Sequence, residues 1–560
     1  MKMKSKLIIT KNILIITTTI FLTQSISAQA PSWQWAKSAG GNMDEIGKAI
    51  AVDANGNTYI TGCFSSSTIN FGTYLLNNYN YYEDIYLVKY DPNGNVIWAK
   101  SSGGSDNEVA EAIVVDANGD IYITGYFQSP VISFGGAVLT NTGVADMFIV
   151  KYDPNGTVLW AKSIGGSSSE TGEGIATDAI GNIYVAGAFS SPSIIIGSNN
   201  FSNDTTDGSF DMFISKYDSN GNVLWAKKAG GNSDDNGSSI SVDANGNSYI
   251  TGSFQSSSIS FGGFVLTNTA GVHVLNTFIT KYDSNGNVIW AKCGVSGSEN
   301  SGRGIAVDAN GNCLVVGSYK NATITFGSII LTNTNSGREE IFILKYNTGG
   351  NLVWAETGGG TLDDRGYTIK LDANGNSYMI GYFESSTITY GTYTLTNLGS
   401  ADVFVVKYNS SGGVLWAKAA GGIDYDRGAS LAVDAAGNCF VTGNSYSPSI
   451  GFDGITLNNA GNSDLFIAKL NNTAGVDEFK GARNTSIFPN PFTSQTTISF
   501  SEEQKHTIIK VTNLLGECIE QLTTNNKQVI LDLSSFANGI YFVKIEDENQ
   551  NINYRKIVKE

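Results

Sequence analysis

Ala49-Ile50-Ala51-Val52-Asp53-Ala54-Asn55-Gly56-Asn57-Thr58-Tyr59-Ile60-Thr61-Gly62 decides the fold of this chain. Two β-prone runs flank an Asn-Gly pair, and both of those residues tolerate the positive φ that a tight turn requires, so the stretch predicts a hairpin. A second hairpin follows. It runs from Asp84-Ile85-Tyr86-Leu87-Val88-Lys89-Tyr90 through the turn Asp91-Pro92-Asn93-Gly94-Asn95 to Val96-Ile97-Trp98-Ala99-Lys100. The unit is thus four strands. Runs such as Phe148-Ile149-Val150 and Val403-Phe404-Val405-Val406 are apolar on both faces, which suits a small sheet held between two others. Helical periodicity is absent.

The same unit recurs seven times, marked by Trp35, Trp98, Trp160, Trp225, Trp290, Trp354 and Trp416 at spacings of 63, 62, 65, 65, 64 and 62 residues. An Asp follows each Trp by 18 residues, and a Gly follows that Asp by 9 (Gly62, Gly125, Gly187, Gly252, Gly317, Gly381, Gly443). Such units must stack on their neighbours, and four strands repeated seven times describe an all-β, seven-bladed β-propeller. Length variation is confined to the stretch between the second and third strands, where Ile-x-Phe-Gly and Leu-Thr-Asn recur and an extra short hairpin is expected. The last unit ends at Lys469-Leu470 without its own Trp strand, so Trp33-Gln34-Trp35-Ala36-Lys37 is expected to supply it and close the last blade. The tryptophans read as packing between neighbouring outer strands.

The ends differ from the array. Residues 1–28 combine lysines, the apolar run Ile13 to Leu22 and a small-residue end, the pattern of a secretory signal peptide. No later run is long enough for a membrane-spanning helix. The division is then signal peptide 1–28, propeller 29–475, linker 476–485 and a C-terminal domain 486–560. With a formal net charge of −16, nucleic acid is a poor partner. Five cysteines, an odd number, with Cys313 and Cys439 in equivalent places of different units, read as buried apolar residues and not as a disulfide framework.

The units Gly-x-x-Ile-Ala-Val-Asp-Ala-Asn-Gly-Asn-x-Tyr-Ile-Thr-Gly and Phe-Ile-Val-Lys-Tyr-Asp-x-Asn-Gly-Asn-Val-x-Trp-Ala-Lys resemble SBBP-type β-propeller repeats of exported bacterial proteins, over about residues 31 to 475. That resemblance implies a fold and no catalytic motif. The tail opens on Ile487-Phe488-Pro489-Asn490-Pro491-Phe492 and closes with Gly539-Ile540-Tyr541-Phe542-Val543-Lys544 and Lys556-Ile557-Val558-Lys559. It resembles the C-terminal sorting domain of type IX secretion substrates of the Bacteroidota. The resemblance implies a small β-sandwich, a sorting signal carried by Pro489, Asn490, Pro491, Gly539, Tyr541 and Lys556, the secretion machinery as partner, and a secreted or cell-surface location.

Chemistry is sparse. His273 and His506 are the two histidines, too few for a histidine metal site or a Ser-His-Asp triad. The Asp-x-Asn-Gly-Asn turns place Gly at the fourth position and lack a closing Glu, so they read as hairpin turns and not calcium loops. Ten residues after the tryptophans stand Glu45, Glu108, Glu170, Asp235, Asn300, Asp364 and Asp426, six carboxylates expected to ring the central channel. They read either as solvated or backbone-capping groups, or as a ring for Ca²⁺ or a cationic ligand; no other cofactor is expected. Tyr79, Tyr81 and Tyr82 form one aromatic cluster suited to a glycan. The expected function is an exported, non-enzymatic binding or adhesion protein for an extracellular glycan or protein. The alternative is a secreted polysaccharide lyase or hydrolase with Asp364 and Asp426 as acid and base.

Overall fold

The computed structural model describes residues 31–205, 208–472, 485–500, 503–513, 516–548 and 552–560. The signal peptide and nearly all of the expected linker lie outside them. Among the described residues there is no helix. Seven antiparallel four-stranded sheets follow one another along the chain. Sheets one to six take their strands in simple sequence order, as in sheet one with Glu45–Val52, Thr58–Phe64, Asp84–Tyr90 and Val96–Ser102. Each begins with an inner strand: Glu45–Val52, Glu108–Val115, Glu170–Thr177, Asp235–Val242, Asn300–Val307, Asp364–Leu371 and Asp426–Val433.

Sheet seven is completed from the other end of the array. Trp33–Ala39 pairs antiparallel with Asp464–Leu470, with Trp33 opposite Leu470 and Ala39 opposite Leu465. The pairing expected from the missing last strand is therefore present. The expected extra hairpin is present too, as Thr68–Phe71 with Tyr74–Asn77 and its six equivalents. Its alternating burial sends Ile69 and Phe71 into the core, while Leu75 stands exposed.

Two contacts join each sheet to the next, and a third recurs at most junctions. Inner strands touch in succession, and Asp426–Val433 touches Glu45–Val52. The third-strand lysine reaches the outer turn of the following sheet, as Lys89 Nζ does to the Pro154 carbonyl at 3.0 Å, and Lys469 of sheet seven makes the same bond to Pro92 of sheet one at 3.3 Å. Most tryptophan indoles repeat the pattern, donating from Trp290 Nε1 to Thr348 O at 3.1 Å and from Trp35 Nε1 to Pro92 O at 3.2 Å, while Trp354 Nε1 is buried without a partner. Trp98, Trp290 and Trp416 are buried, and the other four are half-buried. The tryptophans thus pack against the next sheet's turn more than against its outer strand. Turn glycines make room for them: a Cβ on Gly350, whose φ is +75°, would sit 2.8 Å from the Trp290 ring.

The Asp-x-Asn-Gly-Asn turns are closed by their own side chains. Asp53 Oδ1 accepts the N–H groups of Asn55 and Asn57 at 2.9 Å, and Oδ2 accepts the Asn57 amide and the Tyr59 hydroxyl. This is Asx-turn chemistry, which occupies the oxygens that a calcium loop would need. All five cysteines are free thiols, and Cys63, Cys313 and Cys439 are buried.

The C-terminal part forms two sheets over one apolar core. Thr485–Phe488, Gln495–Phe500 and Gln528–Asp532 make the smaller, and Thr507–Thr512, Cys518–Thr524, Gly539–Glu546 and Ile552–Lys559 the larger. Phe492, Ile498, Val511, Leu531, Val543 and Ile557 fill the space between them.

Candidate functional site

Each inner strand carries a β-bulge at one fixed place. In sheet one Gly47 pairs with Gly62 and Ala49 with Thr61, leaving Lys48 unpaired. The equivalent bulges leave out Glu111, Glu173, Ser238, Arg303, Tyr367 and Ala429. A bulge re-aims its extra side chain, and all seven of these residues line one cavity of about 500 Å³ at the centre of the array. The glycine nine residues after the turn Asp has its reason here. The bulge turns a carbonyl toward it, so a Cβ on Gly62 would lie 2.0 Å from the Ile46 oxygen, and one on Gly381 would lie 1.8 Å from that of Arg365.

The bulge residues are chemically unlike one another, and the channel is polarised by them. On one side Lys48 Nζ is 3.0 Å from Glu111 Oε1. Burial works against the Lys48 charge, but the Glu111 carboxylate more than offsets it and raises the ammonium pKa. Burial, then repulsion from Glu111, pushes Glu173 up to about 7. Across sheets five to seven the charges are positive. Arg303 stacks 5.2 Å from the Tyr367 ring, Tyr367 lies 5.8 Å from Tyr382, and Arg427 sits 5.3 Å from Tyr382 and 5.4 Å from Tyr425. Arg365, 5.8 Å from Tyr382, is held in an ion pair by Glu339. Lys370 adds an ammonium whose pKa is lowered by the surrounding protein.

The six carboxylates expected to ring the channel are elsewhere. Glu45, Glu108, Glu170, Asp235, Asp364 and Asp426 begin the inner strands but are 0–1% exposed, and none lines the cavity. Their oxygens cap the crossing loops and a serine after the second strand. Glu170 accepts the N–H groups of Gly166 and Ser191, Asp235 accepts the Ser256 hydroxyl at 2.7 Å, and Asp364 accepts that of Ser385 at 2.8 Å. Of the two readings left open, the backbone-capping one describes these contacts. No group of three or more His, Cys, Asp or Glu suited to a metal ion occurs among the described residues. The acid and base expected of an enzyme, Asp364 and Asp426, are walled off with the rest.

Each of these acids faces a second one from the preceding sheet. The couples are Glu45 with Asp464, Glu108 with Asp84, Glu170 with Asp146, Asp235 with Asp211, Asp364 with Glu340 and Asp426 with Asp402. In sheet five the corresponding pair is Asn300 and Asn276, both uncharged. Burial is the main cause of every shift, lifting Glu45, Glu108, Asp84, Asp235, Glu340 and Asp402 to about 7. An unfolded carboxyl titrates near 4, so between pH ~4 and ~7 the folded chain binds more protons and stability falls as pH rises. Melting followed by circular dichroism is expected to give a midpoint several degrees higher at pH 5 than at pH 8, with the difference reduced in the Asp84→Asn/Glu108→Gln variant. An equal or higher midpoint at pH 8 would contradict the raised titration of these buried carboxyls.

The remaining expected residues are placed as follows. Tyr79, Tyr81 and Tyr82 are 84%, 58% and 48% exposed on the first variable loop, apart from the channel lining. In the C-terminal domain Asn490 holds the last strand, its amide donating to Lys556 O at 2.9 Å and its oxygen accepting from Val558 N–H at 2.8 Å. It lies between Pro489 and Pro491. Tyr541 is buried with its hydroxyl on the Ala537 carbonyl, Gly539 opens the penultimate strand, and Lys556 is exposed on the last. The bulge residues were missed as a set. Their signal was a position thirteen residues after each Trp that varies inside an otherwise regular unit.

Several known proteins are similar to parts of this chain. An uncharacterized WD repeat-containing protein of Acanthamoeba polyphaga mimivirus is 32% identical over 213 residues, 33% of this chain and 15% of that protein. The regulatory protein FlaEY of Caulobacter vibrioides is 26% identical over 381 residues, 63% of this chain and 38% of that protein. The chain thus spans well under half the length of these relatives. Among solved structures, Sqt1 from Chaetomium thermophilum aligns with 78% of this chain and all of its own at 8% identity and a TM-score of 0.35. The Pan2 WD40 domain of Neurospora crassa does so with 78% and 97% at 8% identity and 0.34. Residues 224–253 match the SBBP β-propeller repeat, and residues 486–560 match the secretion system C-terminal sorting domain, which marks export by type IX secretion. The chain therefore carries an SBBP β-propeller repeat and a type IX sorting domain, and the sorting domain marks it for export to the cell surface or the extracellular space.

Proposed function

We propose that residues 29–475 form a seven-bladed propeller closed by the strand Trp33–Ala39, and that this propeller is a non-enzymatic binding protein whose extracellular ligand enters the central channel. Closure is supported by the junction between sheets seven and one, which repeats the lysine, indole and inner-strand contacts of the others. Glu45 N–H also donates to Ser463 O at 2.9 Å, as Glu108 N–H does to Glu83 O. The sorting domain engages the secretion machinery, and it is removed or exchanged for an anchor during export.

The bulge carries the binding reading. Every other recurrent position in the unit is explained by packing or turn chemistry, while this one presents Lys, Glu, Glu, Ser, Arg, Tyr and Ala to a single cavity. The volume falls within the ~300–1,000 Å³ of small-molecule sites. Ala429→Trp tests it, since the same position accepts Tyr in sheet six. On an array of glycans and matrix proteins, the full-length chain is expected to bind at least one probe, and the substitution to weaken that binding by about tenfold or more, ~1.4 kcal/mol, at an unchanged melting midpoint. Binding that survives the plugged channel would overturn the reading.

A second reading rests on Glu173, raised to about 7 beside Glu111. Two neighbouring carboxyl groups in a sugar-sized channel, one of them raised by burial, are the kind of pair that glycoside cleavage uses. Release of reducing ends from a polysaccharide, lost in Glu173→Gln, would favour this enzyme reading over simple binding.

A further inference from the structure

We infer that the channel takes an acidic sugar of the uronate type, with its carboxylate on Arg303 and its hydroxyls on the opposite wall; this rests on the channel being the binding site. Among the residues that line the channel, Asn236 Oδ1 and Arg303 Nε are buried side-chain atoms with no hydrogen-bond partner. Orphaned polar atoms of this kind are costly, and a ligand that satisfies them gains what they lose. Arg303 forms no ion pair among the described residues, unlike Arg365, which Glu339 occupies. Its guanidinium lies 5.2 Å from the Tyr367 ring, and a guanidinium fork is suited to bidentate binding of a carboxylate.

The rest of the lining selects among anions. Ser238 and Ser301 present hydroxyls, Asn236 an amide, and Glu111 and Glu173 carboxylate oxygens that accept from O–H groups. Acceptors of that kind serve a polyol and repel a second negative charge, so a phosphorylated or sulfated ligand with several charges fits less well than a sugar with one carboxylate. A purely apolar acid finds too little apolar surface.

Titration calorimetry of the full-length protein with galacturonate, its methyl ester and acetate separates the contributions. The methyl ester removes the charge and keeps the sugar; acetate keeps the carboxylate alone. Galacturonate is expected to bind about tenfold or more tighter than either, and Arg303→Gln to remove most of that advantage without moving the melting midpoint. Equal affinity for the ester, or an unchanged affinity in Arg303→Gln, would overturn the assignment. If galacturonate fails to bind while Ala429→Trp still abolishes binding on the array, the ligand class is wrong and the channel stands. If Ala429→Trp has no effect there, the channel itself is wrong.

Discussion

Gly317→Ala is expected to cost about 3 kcal/mol or more of stability, and to blunt binding in the channel as it does so. The added methyl would lie 2.0 Å from the Ser301 carbonyl and 2.5 Å from the Phe342 ring, with backbone on one side and a fully buried aromatic on the other. Neither can retreat without undoing the bulge between Gly302 and Gly304 that projects Arg303. The loss should therefore appear twice, as a lowered urea midpoint and as weakened ligand affinity in the fraction that stays folded. Gly337→Ala, on a loop where a Cβ meets nothing within 4 Å but φ is +96°, provides a milder comparison. A Gly317→Ala protein that melts like wild type would mean the bulge is not rigid.

Deleting residues 31–39 is the second large perturbation. That strand buries Trp33, Ala36 and Ala39, sets Trp33 edge-on to Phe452 at 5.0 Å, and carries the Trp35 indole to Pro92. Burying Trp33 alone, roughly 200 Å² at ~25 cal/mol/Å², is worth up to about 5 kcal/mol. Without the strand, Asp464–Leu470 becomes an open edge lined by buried apolar residues, a site for aggregation. The expected result is a broad, lowered melting transition, restored in part by adding a synthetic peptide of residues 31–41. A sharp transition at the wild-type temperature would show that the first and last sheets hold together without it.

Much of the architecture was legible because its determinants are local. Asn55-Gly56 and its copies specify turns through φ alone, and the unmatched strands at the two ends of the array have one way to pair. The site was not legible for a physical reason. The recurring acids drew attention as a charged ring, yet a side chain that recurs at every unit does a job common to every unit. Glu45 and its equivalents cap loops, each beside a second buried carboxyl of the preceding sheet. The channel is lined from three residues further on, where a bulge shifts the two-residue alternation of a strand and brings Lys48 or Arg303 inward. Nothing in the residue types announces that shift except the paired glycine, whose close contact with a carbonyl becomes visible only in three dimensions.

The bulge also separates what the molecule must keep from what it can change. Its side chain takes no part in the ladder, and most sheet-to-sheet packing runs through other residues, the Lys48–Glu111 and Arg303–Tyr367 contacts apart. Positions of one channel can thus be rewritten by single codons with little change to the scaffold, the contacting pairs together. In that sense the ring behaves as a combination lock with some of its tumblers linked, and sister proteins built on the same unit are expected to differ in ligand chiefly through the residue thirteen places after each tryptophan.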